Sequence, residues 1–154
     1  MAPWFAILIC LHLLAATVWV GGMFTMHFAV RPAAVATLAP DQRLPFMAAT
    51  LARFLDWVAG AIGLLLLSGA AIIVLAGGMA QMHWSVHAMI GIGVLMMLLY
   101  GHIRFAPFAR MRRAVAARQW PEAAAALDSV RRLVTLNLAL GVIVYLIAVV
   151  ARVF

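Results

Sequence analysis

The chain has 154 residues, of which 68% are hydrophobic and only 10% are charged. Soluble domains carry about 25% charged residues, and one of this length could not bury so much apolar surface. The net charge of +7 comes from eleven arginines and four acidic residues, with no lysine. Because the arginines lie between apolar segments and not in a surface stretch that alternates with aromatic residues, we expect no nucleic-acid partner. The composition predicts a protein of the lipid bilayer.

Four apolar segments are long enough to cross a membrane, for which roughly 20 helical residues are needed. They cover residues of about 4–30, 57–79, 82–103 and 133–151. We therefore predict an all-α fold class, an integral membrane four-helix bundle in up-down-up-down order. A single transmembrane domain over residues 1–154 is expected.

The connections between these segments differ in arginine content. Residues 31–56 and 104–132 hold ten of the eleven arginines, the connection near residues 76–81 holds none, and Arg152 lies near the C-terminus. Arginine-rich connections stay in the cytoplasm, so we predict a multi-pass protein of the bacterial inner membrane with both termini in the periplasm. Within the two loops, helices are predicted to begin at Pro40 and Trp120, where a proline and an acidic residue fall in the first turn.

Five histidines lie in or beside the first and third apolar segments, although ionisable residues are costly at membrane depth. His12 and His27 are fifteen residues apart, as are His87 and His102. This spacing separates the members of each pair by roughly 22 Å along a helix and by about 60° around it. Since the first and third helices run parallel in the predicted topology, His12 can meet His87 near the outer face, and His27 can meet His102 near the inner face. His83, one turn before His87, is assigned to the outer interface.

Two imidazoles on opposite sides of an iron atom are the ligands of a low-spin haem b. The histidine pattern therefore predicts two haems b, one above the other, with arginine side chains beside their propionates. The predicted cofactor-binding residues are His12, His87, His27, His102, Arg31 and Arg104. The protein would be a diheme b-type cytochrome that carries electrons across the inner membrane from one face to the other. No side chain is predicted to be catalytic, and whether the protein is an oxidoreductase is left open. Its predicted partners are the lipid bilayer and a quinone or periplasmic redox partner, with homodimer formation left open.

Two methionine motifs favour a different function. Met23–His27 and Met79–His83 both read Met-x-x-Met-His, and thioether and imidazole ligands suit Cu(I). The alternative hypothesis is a membrane protein that handles Cu(I), in import or tolerance. A third hypothesis is a structural or assembly subunit without a cofactor. No phosphate-binding loop, nucleophile elbow or carboxylate pair is present, which excludes the common hydrolase mechanisms.

Two stretches carry a family resemblance. Leu11–Gly22 (LHLLAATVWVGG) resembles the opening helix of the copper-resistance protein D (CopD) family, and Arg131–Gly141 (RRLVTLNLALG) resembles the start of its last helix. The resemblance implies a bacterial inner-membrane protein associated with copper import or tolerance. The first helix is also similar to that of a group of protoporphyrinogen oxidases, but that group is expected to use a lysine, which this chain lacks.

Overall fold

The computed structural model describes residues 3–151, and within them the regular structure is entirely helical. The six α-helices are α1 (Pro3–Thr25), α2 (Arg31–Thr37), α3 (Pro40–Leu75), α4 (Trp84–Phe105), α5 (Pro107–Ala116) and α6 (Trp120–Val150). A π-helical segment, Met26–Val30, joins α1 directly to α2, and a short 3-10 turn, Met79–Gln81, precedes α4. Arg152 lies outside the described residues.

Four helical stretches are long and apolar enough to cross a membrane: Pro3–Thr37, Pro40–Leu75, Trp84–Ala116 and Trp120–Val150. Their outward faces have exposed apolar side chains such as Leu67 and Val74. Such exposure is expected of residues that face lipid. The predicted all-α membrane four-helix bundle is confirmed. The chain is a multi-pass membrane protein, with the lipid bilayer as its solvent.

Much of each predicted cytoplasmic loop is helical. α3 begins at Pro40 and α6 at Trp120, each with a proline in its first turn, so both predicted helix starts are confirmed. α3 has 36 residues and α6 has 31, which exceeds the roughly 20 that cross the hydrocarbon. Hydropathy had placed the spans from residues 57 and 133 because it detects the edge of the apolar region and not the end of the helix. The assignment of the whole chain to one domain stays a prediction.

The helices pack in two pairs. α1 lies mainly against α3, and α4 lies mainly against α6, while α6 also contacts α1 and α3. At one end of the bundle, α5 packs on α6. We call this end, which holds α2, α5 and the arginines of residues 31–53 and 104–132, the arginine-rich end. The buried core extends through the whole bundle and is built largely from methionine, alanine, leucine and valine.

At the opposite end, two glycines terminate α3. Gly77 and Gly78 adopt φ angles of 96° and 94°. The Gly78 N–H donates to the Ile73 carbonyl at 2.9 Å, and the Gly77 N–H donates to the Val74 carbonyl at 3.2 Å. These are the two bonds of a Schellman cap, which satisfies carbonyls that the helix end would otherwise leave without donors. The cap turns the chain towards α4.

We expect Gly77→Ala to lower the free energy of unfolding by about 1–2 kcal/mol, because a Cβ atom is disfavoured at a left-handed φ. Gly60→Ala, within α3, is the matched control, since a Cβ there meets no atom within 4 Å. Unfolding in mixed detergent micelles measures both variants. Equal stability of the two variants would show that the cap does not depend on glycine.

Candidate functional site

His12 and His87 were predicted to face each other near one end of the bundle. In the structure, His12 is directed towards α3, where its Nδ1 lies 2.9 Å from Ser68 Oγ. His87 is exposed on α4. α1 packs against α3 and α6 more extensively than against α4, and the hydrogen bond of His12 to another helix is with α3.

His27 and His102 were the second predicted pair, at the arginine-rich end. His27 lies in the π-helical segment, and its Nδ1 is 3.3 Å from Thr135 Oγ1 on α6. His102 is exposed on α4. Both histidines of the first span therefore form their hydrogen bonds with helices other than α4.

Large side chains occupy the contact between α1 and α4. The rings of Trp19 and Tyr100 meet edge to face, with centroids 6.5 Å apart and planes at 80°. Trp19 is only 3% exposed, and Tyr100 Oη donates a hydrogen bond of 2.9 Å to the Leu55 carbonyl. This part of the bundle is filled by packed aromatic side chains.

The two arginines predicted to pair with haem propionates lie at the arginine-rich end. Arg104 Nη2 is 2.7 Å from Asp56 Oδ1 and so joins α4 to α3. Arg31 is the first residue of α2 and is partly exposed. Both side chains of the Arg104–Asp56 pair are partly exposed to solvent, so its contribution to stability is small.

We define the Met79 cluster as Met79, Met82 and His83, which lie between α3 and α4. Met79 is 39% exposed. His83 is the N-cap residue of α4, and its Nδ1 accepts from the Ser85 N–H at 3.5 Å and lies 3.0 Å from Ser85 Oγ. A ring nitrogen that caps a helix is not free for a metal ion. The Met79 cluster is therefore partly exposed, and one ring nitrogen of its histidine is used to cap α4.

We define the Met23 cluster as Met23, Met26 and His27, which lie where α1 continues into the π-helical segment. Met23 and Met26 are 1% and 8% exposed. Residues at spacings of three and four share one helix face, so Met23, Met26 and His27 lie on the same side of the first span. π-helical turns are rare and often occur at functional sites. The Met23 cluster is the buried one of the two.

Three polar residues of the spans were missed by the sequence analysis: Ser68, Thr135 and Asn137. Ser68 and Thr135 bond the two histidines of α1. Asn137 is 1% exposed and donates to the Met96 carbonyl at 3.4 Å, and its Oδ1 has no hydrogen-bond partner among the described residues. The available signal was a polar side chain within an apolar span, where such groups form contacts between helices.

Within residues 3–151, no group of three or more His, Cys, Asp and Glu side chains could hold a metal ion. In a comparison with known families, the family model described as copper resistance protein D matches residues 48–151. That range covers about two thirds of the chain, from the first third of α3 to the end of α6. No curated protein and no solved structure matches the chain.

The family match overturns the predicted function. It points to copper and not to haem, so the prediction of a diheme b-type cytochrome is wrong, and the alternative of a copper-handling membrane protein is the better supported one. The packing gives a physical reason, because the predicted haem sites required α1 to present His12 and His27 to α4. The roles of His12, His27, His87 and His102 as metal-binding residues stay predictions.

Proposed function

Because the chain belongs to the copper resistance protein D family, we propose that it binds Cu(I) inside its helical bundle and serves copper import or copper tolerance. The proposed site is the Met23 cluster. We further propose that the membrane is a bacterial inner membrane, with the arginine-rich end in the cytoplasm and both termini in the periplasm. The clustering of arginines at one end supports this orientation.

The main support for this proposal is that potential soft ligands, the methionines of the Met23 cluster, are buried. Met23 and Met26 are almost completely buried, and His27 is partly buried beside them in sequence and on the same helix face. Thioether and imidazole ligands suit Cu(I), whereas carboxylate and carbonyl oxygens suit Mg²⁺, Ca²⁺ and Mn²⁺. Two buried methionines on one helix face with a histidine therefore favour a soft monovalent cation over the hard divalent ions.

The Met79 cluster supports the proposal less well, although it repeats the same motif. Its first methionine is substantially exposed, and its histidine caps α4. The two clusters lie at opposite ends of the bundle, so they cannot form one site. A copper ion bound by the Met79 cluster would compete with the helix cap, whereas the Met23 cluster needs no such rearrangement of a helix end.

Titration of the purified protein in detergent tests the proposal. A coloured Cu(I) chelator reports how much copper the protein withdraws from it under reducing conditions. We expect at least one Cu(I) per chain to transfer to the protein, and Mg²⁺ in excess not to compete. A protein that leaves all copper on the chelator, even at limiting chelator concentration, would contradict a copper-binding function.

A further inference from the structure

A cavity of about 580 Å³ lies at the arginine-rich end, between α5 and the first part of α6. Small-molecule sites in proteins typically have volumes of roughly 300–1,000 Å³. The space is left by small side chains, since Ala114 and Ala117 line the cavity from α5, and Ala125 and Ala126 line it from α6. Its polar lining consists of side chains that the proposed copper site does not use: Arg110, Arg113, Gln119, Glu122 and Ser129.

Two guanidinium groups of this lining have no acidic partner among the described residues. Arg110 and Arg113 are exposed and lie one turn apart on α5. The ion pairs that form within residues 3–151 involve two other arginines, Arg104 and Arg131. Like charges one turn apart on a helix destabilise it, so an anion bound between these side chains would stabilise α5. Guanidinium groups bind phosphate oxygens through paired N–H donors.

The charge of the lining distinguishes between phosphate compounds. Glu122 also lines the cavity, and it forms no ion pair within the described residues. Two positive charges and one negative charge leave the lining with a net charge of +1. A phosphodiester has a single negative charge and matches this value, whereas a phosphomonoester has a charge of about −1.5 to −2 at neutral pH. The lining therefore favours a phosphodiester.

The cavity begins at the depth of the lipid headgroups. Ser129 is the lining residue of α6 closest to the apolar segment, which begins four residues later at Leu133. Four helical residues rise roughly 6 Å. The headgroup layer at each face is roughly 5–8 Å thick, as the difference between the whole bilayer and its hydrocarbon core shows. The phosphodiester of a membrane phospholipid is therefore level with this end of the cavity.

We infer that the cavity between α5 and α6 binds the phosphodiester headgroup of a glycerophospholipid, with the guanidinium groups of Arg110 and Arg113 as its ligands. Basic pockets between membrane helices bind the headgroups of anionic lipids in the same way. Glu122 lies seven residues before Ser129 on α6, roughly 10 Å farther from the bilayer, and its carboxylate disfavours a second negative charge. This lipid site is separate from the Met23 cluster and does not depend on copper binding.

Titration of delipidated protein in detergent with phosphatidylglycerol, followed by native mass spectrometry, tests the site. We expect Arg110→Gln/Arg113→Gln to bind the tightest lipid about 25-fold more weakly, because each arginine near a membrane surface contributes roughly fivefold to the binding of anionic lipid. Arg112→Gln/Arg132→Gln is the matched control. Both of its arginines are exposed at the same end, but neither lines the cavity, so its affinity should stay close to that of the wild type.

Two further ligands separate the headgroup from its parts. Diacylglycerol with the same acyl chains lacks the phosphate, and inorganic phosphate lacks the chains. We expect neither to displace phosphatidylglycerol from the wild-type protein. Glu122→Gln should bind phosphatidylglycerol more tightly than the wild type, because the variant loses a carboxylate that repels the phosphodiester.

An equal loss of affinity in the two double variants would overturn the inference, since general charge attraction would then account for the binding. Displacement of phosphatidylglycerol by diacylglycerol would show that the acyl chains determine binding, and displacement by inorganic phosphate would show that the site does not select a phosphodiester. Either result would contradict the proposed lipid site. A protein that shows the expected lipid effects but binds no Cu(I) would overturn the copper function alone.

Discussion

The double variant Met23→Leu/Met26→Leu is expected to lose Cu(I) affinity by more than about 100-fold, because losing direct ligands should exceed the 10–100-fold effect of losing residues that only orient them. Leucine has nearly the volume of methionine, and such exchanges in a core usually cost less than about 1.5 kcal/mol. The bundle should therefore stay folded while both thioethers are removed. Competition with a Cu(I) chelator measures the change.

Met89→Leu is the control for this variant. Met89 is partly buried on α4, eleven residues before Tyr100, whereas Met23 is four residues beyond Trp19, the aromatic partner of Tyr100. The two methionines are thus separated along the bundle by roughly 20 Å at 1.5 Å per residue. Unchanged copper affinity in the double variant, or an equal loss in Met89→Leu, would contradict a site at the Met23 cluster.

Gly141→Ala is expected to lower the free energy of unfolding by about 1–3 kcal/mol, the cost of overpacking a close contact. A Cβ atom on Gly141 would lie 2.7 Å from Val20 Cγ2 and 3.3 Å from Met96 Cε. The methionine end can move, but valine is restricted at χ1, so α6 must shift away from α1. Unfolding in mixed detergent micelles measures this loss.

Gly93→Ala, on α4, separates this contact from a general effect of adding a methyl group. A Cβ atom on Gly93 meets nothing within 4 Å, so we expect its stability to stay close to that of the wild type. If Gly141→Ala were as stable as Gly93→Ala, this would contradict the close approach of α6 to α1 at Gly141 and Val20.

Hydropathy and arginine placement were sufficient to predict the four spans and the bundle. The apolar segments correspond to the central parts of four long helices, because lipid forces backbone groups to bond within each helix. The helix starts at Pro40 and Trp120 were also predictable, since proline favours the first helical turn. Hydropathy alone located the apolar segments but not the helix ends, because arginine-rich turns are compatible with both helix and loop.

The partners of the histidines were not predictable from spacing. A separation of fifteen residues places His12 and His27 within a limited arc of one helix, but it does not say which neighbouring helix that arc faces. Packing decides this, and the close contacts of glycines with Phe54 and Val20 bring α1 against α3 and α6. The resemblance to the copper-resistance protein D family was the better guide, and the family match confirms it.

Ser68 and Thr135 could have been found as candidate partners of the histidines. Each is a hydroxyl residue inside an apolar span, and such residues commonly bond the carbonyl four residues earlier. Their pairing with His12 and His27 needs the three-dimensional arrangement, because the partners are 56 and 108 residues apart in the chain.

X-ray absorption spectroscopy of protein loaded with one equivalent of Cu(I) tests the copper site most directly. We predict sulfur and imidazole scatterers around the metal in the wild type, with the sulfur contribution lost in Met23→Leu/Met26→Leu and retained in Met89→Leu. A copper ion surrounded only by nitrogen and oxygen atoms in the wild-type protein would contradict the proposed site.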